Sequence, residues 1–178
     1  MSECKIIFTG PVGAGKTSAI RAISDIEPIS TDELTTDMTR NKKPGTTVAL
    51  DYGLIKLQAD ERIHLYGTPG QERFDFMWEI LTQGGIGLIL LISNQRPDPF
   101  QDMHFFIEAF KSFLHENNLV IGVTQMDLND HPSIADYHLQ LESSGYKVPV
   151  FEVDARNRRD VGVLVEALLF TLDPGLDE

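Results

Sequence analysis

The residues with the clearest chemical potential are contiguous: Gly10-Pro11-Val12-Gly13-Ala14-Gly15-Lys16-Thr17. The spacing G-x-x-x-x-G-K-[ST] is what phosphate binding by a backbone loop requires. Glycines let the chain wrap closely, and successive N–H groups then point inward as an anion-binding nest. A helix that starts inside the loop adds the positive end of its dipole. Lys16 supplies a point charge to the outer phosphates, and the Thr17 hydroxyl is placed to ligate Mg²⁺. Val12, Gly13, Ala14, Gly15, Lys16, Thr17 and Ser18 are therefore the expected phosphate-binding set. The alternative, a glycine-rich turn without a ligand, does not account for the lysine and hydroxyl that close the motif.

That loop needs a strand before it and a helix after it, and the flanking sequence has both. Ile6-Ile7-Phe8 reads as a buried strand, and Lys16 to Ile26 as a helix. Pro28 to Gly45 is polar and reads as a long loop. Val48 to Leu57 and Arg62 to Tyr66 read as two strands of a hairpin turning at Ala59-Asp60. Arg73 to Leu81 reads as a helix, and Ile86 to Ile92 is an apolar run of central-strand type. Phe100 to His115 carries Met103, Phe106, Ile107, Phe110, Phe113 and Leu114 at helical period, which reads as core packing. Leu119 to Val123 and Val148 to Val153 read as strands, Ile134 to Leu141 and Val161 to Leu172 as helices. Alternating strands and helices predict one α/β domain over residues 1–178.

Composition narrows the partners. Fifteen Lys and Arg against 27 Asp and Glu give a formal charge of −12, which disfavours nucleic acid and anionic lipid. An anionic ligand must be held by a local positive site. The single cysteine, Cys4, excludes an intrachain disulfide and fits a cytoplasmic location. The ends carry no leader-like segment, prenylation box or myristoylation glycine, so no intrinsic membrane anchor is expected. The five histidines, His64, His104, His115, His131 and His138, lack metal-ligand spacing.

With these motifs in order, the chain resembles the Ras-superfamily small GTPases, most of all the bacterial branch containing the gliding-polarity GTPase MglA. The resemblance implies a P-loop NTPase with a Ras-like, mixed six-stranded sheet and helices on both faces. Thr46-Thr47-Val48-Ala49-Leu50-Asp51-Tyr52 resembles switch I and the strand after it, with Thr47 as the threonine that senses the γ-phosphate and ligates Mg²⁺ beside Thr17. Gly67-Thr68-Pro69-Gly70-Gln71-Glu72-Arg73-Phe74 resembles switch II. There the Gly70 N–H meets the γ-phosphate and Gln71 orients the attacking water, so Gln71, Lys16 and Gly70 are the implied catalytic residues. The family's Asn-Lys-x-Asp appears as Thr124-Gln125-Met126-Asp127, where Asp127 accepts from guanine N1–H and the 2-amino group. Asp154-Ala155-Arg156 stands in place of Ser-Ala-Lys, with the Ala155 N–H and Arg156 near the base.

Two departures stand out. Gly67 occupies the place of an aspartate that holds Mg²⁺ through water, and no other carboxylate is an obvious replacement in sequence. Thr124 and Gln125 replace an asparagine that ties the loops together and a lysine that packs over the base. The resemblance implies a GTP/GDP switch with slow hydrolysis, Mg²⁺ as cofactor, a protein effector, a GTPase-activating protein, and a roadblock-type dimer as partner. A non-catalytic GTP-binding scaffold and a small-molecule kinase are the rival readings. Phe74, Met77 and Trp78 either cover an effector surface or pack on the sheet. Arg40, Lys42 or Lys43 either is a solvated loop charge or reaches the γ-phosphate as an internal arginine-finger equivalent.

Overall fold

The computed structural model describes residues 3–30, 50–70, 75–115 and 118–172. Their strands are β1 (Glu3–Thr9), β2 (Ile29–Ser30), β3 (Asp51–Lys56), β4 (Arg62–Gly67), β5 (Gly87–Ser93), β6 (Asn118–Thr124) and β7 (Val150–Glu152). The helices are α1 (Lys16–Ile23), α2 (Asp75–Thr82), α3 (Pro99–Ala109), α4 (Lys111–Leu114), α5 (Ile134–Ser143) and α6 (Arg158–Leu172). The strands form one sheet in the order β2-β3-β4-β1-β5-β6-β7. β4, β1, β5, β6 and β7 run parallel to one another, whereas β3 runs antiparallel to β4 and to β2.

Strand alternation divides the core into two layers. Ile6, Phe8, Ile89 and Leu91 point to the face covered by α1 and α6, where they meet Ile20, Leu164 and Leu168. Ile7, Leu88, Leu90 and Ile92 point to the other face, where Trp78, Met103, Phe106, Phe110 and Tyr137 pack. β5 is buried at all seven positions, as its unbroken apolar run requires. The α/β architecture with helices on both faces is thus the one read from the sequence.

The strand count differs, seven rather than six. The extra strand, β2, pairs Ile29 with Tyr52 and Ser30 with Asp51, inside a stretch read as loop. Two residues are too few to show a period, and only pairing with β3 reveals them. α1 stops at Ile23, three residues early, because Ser24 turns extended (ψ 137). Its hydroxyl accepts from Leu54 N–H at 3.1 Å and donates to Ile26 C=O at 2.7 Å. A side chain that competes for backbone groups ends a helix in this way. The Phe-rich helix is interrupted at Phe110 (φ −98, ψ 10). α6 begins three residues early, since its first turn, Arg158-Arg159-Asp160, is polar. No described helix is long and apolar enough to cross a membrane.

Candidate functional site

Parallel strands β1, β4, β5, β6 and β7 all end at one edge of the sheet, and the loops leaving them carry the expected site. After β1 the chain enters the phosphate loop. Gly15 sits at φ 99, where a side chain is strained, and a Cβ there would lie 2.8 Å from the Ala155 Cβ. Glycine thereby lets the start of α1 approach the loop after β7. Lys16 opens α1 and is 8% exposed. Its Nζ donates to Gly10 C=O at 2.7 Å and Pro11 C=O at 2.8 Å. Burial pushes the Lys16 ammonium down to about 8, opposed by the nearby Asp51 carboxylate. An ammonium held in so dry a place gains strongly from an anion beside it.

The loop leaving β4 closes over this lysine. A Cβ on Gly70 would lie 2.7 Å from Val12 N and 2.8 Å from Lys16 Nζ, so Gly70 abuts the phosphate loop. Thr68 N–H donates to Phe8 C=O at 2.9 Å, and the Thr9 and Thr68 hydroxyls are 2.8 Å apart. Trp78 on α2 donates from Nε1 to Pro69 C=O at 3.1 Å and stacks on Phe110 with 5.1 Å between ring centroids. Trp78 therefore packs inward and fixes Pro69 in the segment that follows β4. Phe76 and Ile80 are its exposed neighbours, at 57% and 56%. Thr47 and Gln71 lie outside the described residues, as do Arg40, Lys42, Lys43 and Phe74.

Beside Gly67 the structure places a carboxylate from the neighbouring strand. The β3–β4 register sets Asp51 directly opposite Gly67, and opposed residues project from the same face. Asp51 Oδ2 accepts from the Thr17 hydroxyl at 2.6 Å. A Cβ on Gly67 would lie 3.1 Å from the Asp51 Cβ and 3.2 Å from Oδ2, so Asp51 fills the space that a side chain at 67 would use. A hydroxyl and a carboxylate together form the hard oxygen donor set that suits Mg²⁺.

At the other end, a cavity of about 540 Å³ is lined by Ala14, Gly15 and Ser18 from the phosphate loop and α1, by Thr124, Gln125 and Asp127 after β6, and by Ala155 and Arg156 after β7. Residues of the phosphate loop and of the motifs after β6 and β7 thus share one cavity, whose lining does not include Lys16, Thr17 or Gly70. The buried Thr124 hydroxyl donates to Ala14 C=O at 2.9 Å, tying the two loops. Gln125 crosses the phosphate loop: its Nε2 donates to Gly13 C=O at 3.4 Å and its Oε1 accepts from the Ser93 hydroxyl. Its φ of 61 is sparsely populated by non-glycine residues. Asp127 is exposed at the cavity rim. Arg156 forks onto Asp154 with two 2.9 Å bonds, which hold the Asp154 carboxyl down to about 2. Val12, 58% exposed, stands on the loop outside the lining.

Two further supports were not read from the sequence. Buried Asn94, after β5, donates to Asn129 C=O at 2.7 Å and Pro132 C=O at 3.0 Å, and accepts from the Tyr137 hydroxyl at 2.8 Å. This network holds the loop that carries Asp127. Asp51 is the other. It stands in the Thr46–Tyr52 segment, but nothing in that segment indicates its pairing with Gly67 or its contact with Thr17.

Comparison with known proteins agrees with the fold. A family model described as "Conserved hypothetical ATP binding protein" matches residues 25–158, downstream of the phosphate loop. An uncharacterised protein of Methanocaldococcus jannaschii is 33% identical over 94 residues, covering 52% of this chain and 53% of that protein. The chain spans about half the length of that archaeal relative. Ras-related protein Rab-27A of Sus scrofa is 24% identical over 180 residues, with 93% of this chain and 76% of that protein covered. Ras-related protein Rab-1D of Dictyostelium discoideum is 26% identical over 159 residues, covering 88% and 73%. These likenesses are distant. They support the Ras superfamily and do not single out the gliding-polarity branch.

Proposed function

The chain belongs to the family described as conserved hypothetical ATP binding protein, and on that premise we propose that it is a guanine-nucleotide switch that hydrolyses GTP slowly. The observation that carries this reading is the single cavity running from the start of α1 to Asp127. Its lining combines residues of the phosphate loop and the first turn of α1 with the Asp127 carboxylate. The family's description names ATP. Asp127 favours guanine instead, because a carboxylate can accept from N1–H and the 2-amino group, and adenine offers neither donor there.

In this reading the loop amides and Lys16 offset charge on the phosphates. Gly70 presents its N–H to the γ-phosphate from beside Lys16. Thr17 and Thr47 would hold Mg²⁺, which when bound would neutralise phosphate charge. Gln71 orients a water in line with the γ-phosphorus. The new P–O bond forms as the bond to the β-phosphate oxygen breaks, GDP leaves, and the water's proton passes to phosphate. Thr47 and the Gly70-Gln71 segment then lose their γ-phosphate contacts, which makes the switch. Phe76 and Ile80 offer apolar surface beside that segment for a protein effector or activating protein. The gliding-polarity branch and a roadblock-type dimer, drawn from the resemblance, and a cytoplasmic setting, drawn from the single cysteine, complete the finer reading.

The test is displacement of a fluorescent guanine nucleotide by GTP, GDP and ATP, with Asp127→Ala alongside. Loss of hydrogen bonds to a charged acceptor, about 1.5–3 kcal/mol, predicts a fall in guanine affinity of about 10–150-fold, with ATP affinity unchanged. Single-turnover hydrolysis of wild type and Gln71→Ala follows the chemical step. Equal preference for ATP and GTP in wild type refutes the guanine assignment, and equal rates for the two proteins refute the role of Gln71.

A further inference from the structure

We infer that Asn94 and Tyr137 are positioning residues for base selection: they clamp the loop that carries Asp127 on both sides of that carboxylate, and so set how well the site tells guanine from other purines. The inference rests on the guanine-binding reading above and adds to it the residues that sharpen its specificity. Neither residue lines the cavity, so both act through Asp127. Asp127 is exposed at the rim, so its place follows from its backbone rather than from packing. That backbone is gripped at two points by one residue. Three residues before Asp127, Thr124 C=O accepts from Asn94 N–H at 2.9 Å. Two residues after it, Asn129 is held twice: its C=O accepts from Asn94 Nδ2 at 2.7 Å, and its own Nδ2 donates to Asn94 C=O at 3.0 Å. Between the grips the chain turns, with Leu128 N–H and Asn129 N–H both donating to Gln125 C=O.

Tyr137 fixes the grip from the core. Both protons of the Asn94 amide go to carbonyls, those of Asn129 and Pro132, so its Oδ1 must face a donor. The Tyr137 hydroxyl is that donor, at 2.8 Å. Asn94 and Tyr137 are both wholly buried, and the Tyr137 ring meets Phe100 edge-on with 5.0 Å between centroids. In so dry a place a lost partner is costly. Without the hydroxyl, the amide would rotate to find a donor and release Asn129 and Pro132. A carboxylate that must accept from N1–H and the 2-amino group together tolerates little displacement, since hydrogen bonds weaken steeply off line.

The experiment measures binding of GDP and of inosine diphosphate, which lacks only the 2-amino group, by titration calorimetry. The proteins are wild type, Tyr137→Phe, Asp127→Ala and the double variant. Tyr137→Phe is expected to lower GDP affinity about tenfold, within the range of couplings between connected groups. It is also expected to narrow the ratio of GDP to inosine diphosphate affinity. In the Asp127→Ala background the same change is expected to cost GDP nothing further. A merely structural role predicts equal losses for both nucleotides and the same loss in both backgrounds, and that outcome overturns the inference. So does an unchanged GDP affinity in Tyr137→Phe. Should Tyr137→Phe fail to fold, Asn129→Ala, at an exposed position, releases one grip without touching the core, and the same outcomes decide. If Asp127→Ala binds GDP as wild type does, the guanine reading falls first and the inference with it. If Asp127→Ala weakens GDP while Tyr137→Phe leaves the ratio as it was, only the positioning role falls.

Discussion

Replacing Thr124 by valine tests whether the two halves of the cavity are tied by one hydroxyl. The swap keeps the side chain's shape and removes its donor. Thr124 is 2% exposed and Ala14 fully buried, so water cannot readily replace the 2.9 Å bond to Ala14 C=O. The weaker approach to Ile92 C=O, at 3.4 Å, is lost with it. An acceptor left unsatisfied in a dry site costs about 1–3 kcal/mol. At about 2 kcal/mol, a domain of this size loses about 4–8 °C in Tm. Both residues line the cavity, so part of that energy also organises the nucleotide site. Each 1.4 kcal/mol or so spent in reorganising it weakens binding about tenfold. Thermal unfolding and guanine-nucleotide titration should be run on wild type, Thr124→Val and Thr124→Ser. The serine variant keeps the donor and should stay near wild type in both. If valine leaves Tm and affinity unchanged, or serine falls as far as valine, the tie is not what joins the loops.

Two other consequences follow from the buried groups. Free Lys16 titrates near 8, and a bound phosphate raises that value; affinity is therefore full below about pH 8 and declines above it, by at most about tenfold per unit. Titration calorimetry near pH 9 in buffers of different ionisation heat should report proton uptake on binding, and its absence would remove Lys16 from contact with the phosphates. Trp78→Ala should lose about 3–5 kcal/mol from the core, and Trp78→Phe about 1–3 kcal/mol for the unpaired Pro69 carbonyl. Urea unfolding followed by circular dichroism measures both, and an undiminished Trp78→Phe would show that the indole bond holds nothing in place.

The loop between β1 and α1 was legible because its geometry is local. Eight consecutive residues carry their own backbone geometry, and β1 before them and α1 after them announce themselves by apolar pattern. The same holds for β5, whose seven buried positions leave no alternative to a central strand. The motifs after β6 and β7 were legible as types, and the fold brought Asp127, Ala155 and Arg156 to the same cavity as Ala14 and Ser18. Element ends were less legible, because Ser24 and Phe110 stop helices through contacts that periodicity does not record.

What the sequence alone determined is therefore the strand-loop-helix start, the α/β class and the two-faced core, each set by near neighbours or by a repeating pattern. The tertiary structure decided everything that depends on register between distant strands. Asp51 became the neighbour of Thr17 only because β3 runs against β4 and places residue 51 opposite residue 67. Thr124 reached Ala14 only across the edge of the sheet. Pairing one residue further along would turn each side chain to the opposite face, and no motif in the linear chain encodes that choice.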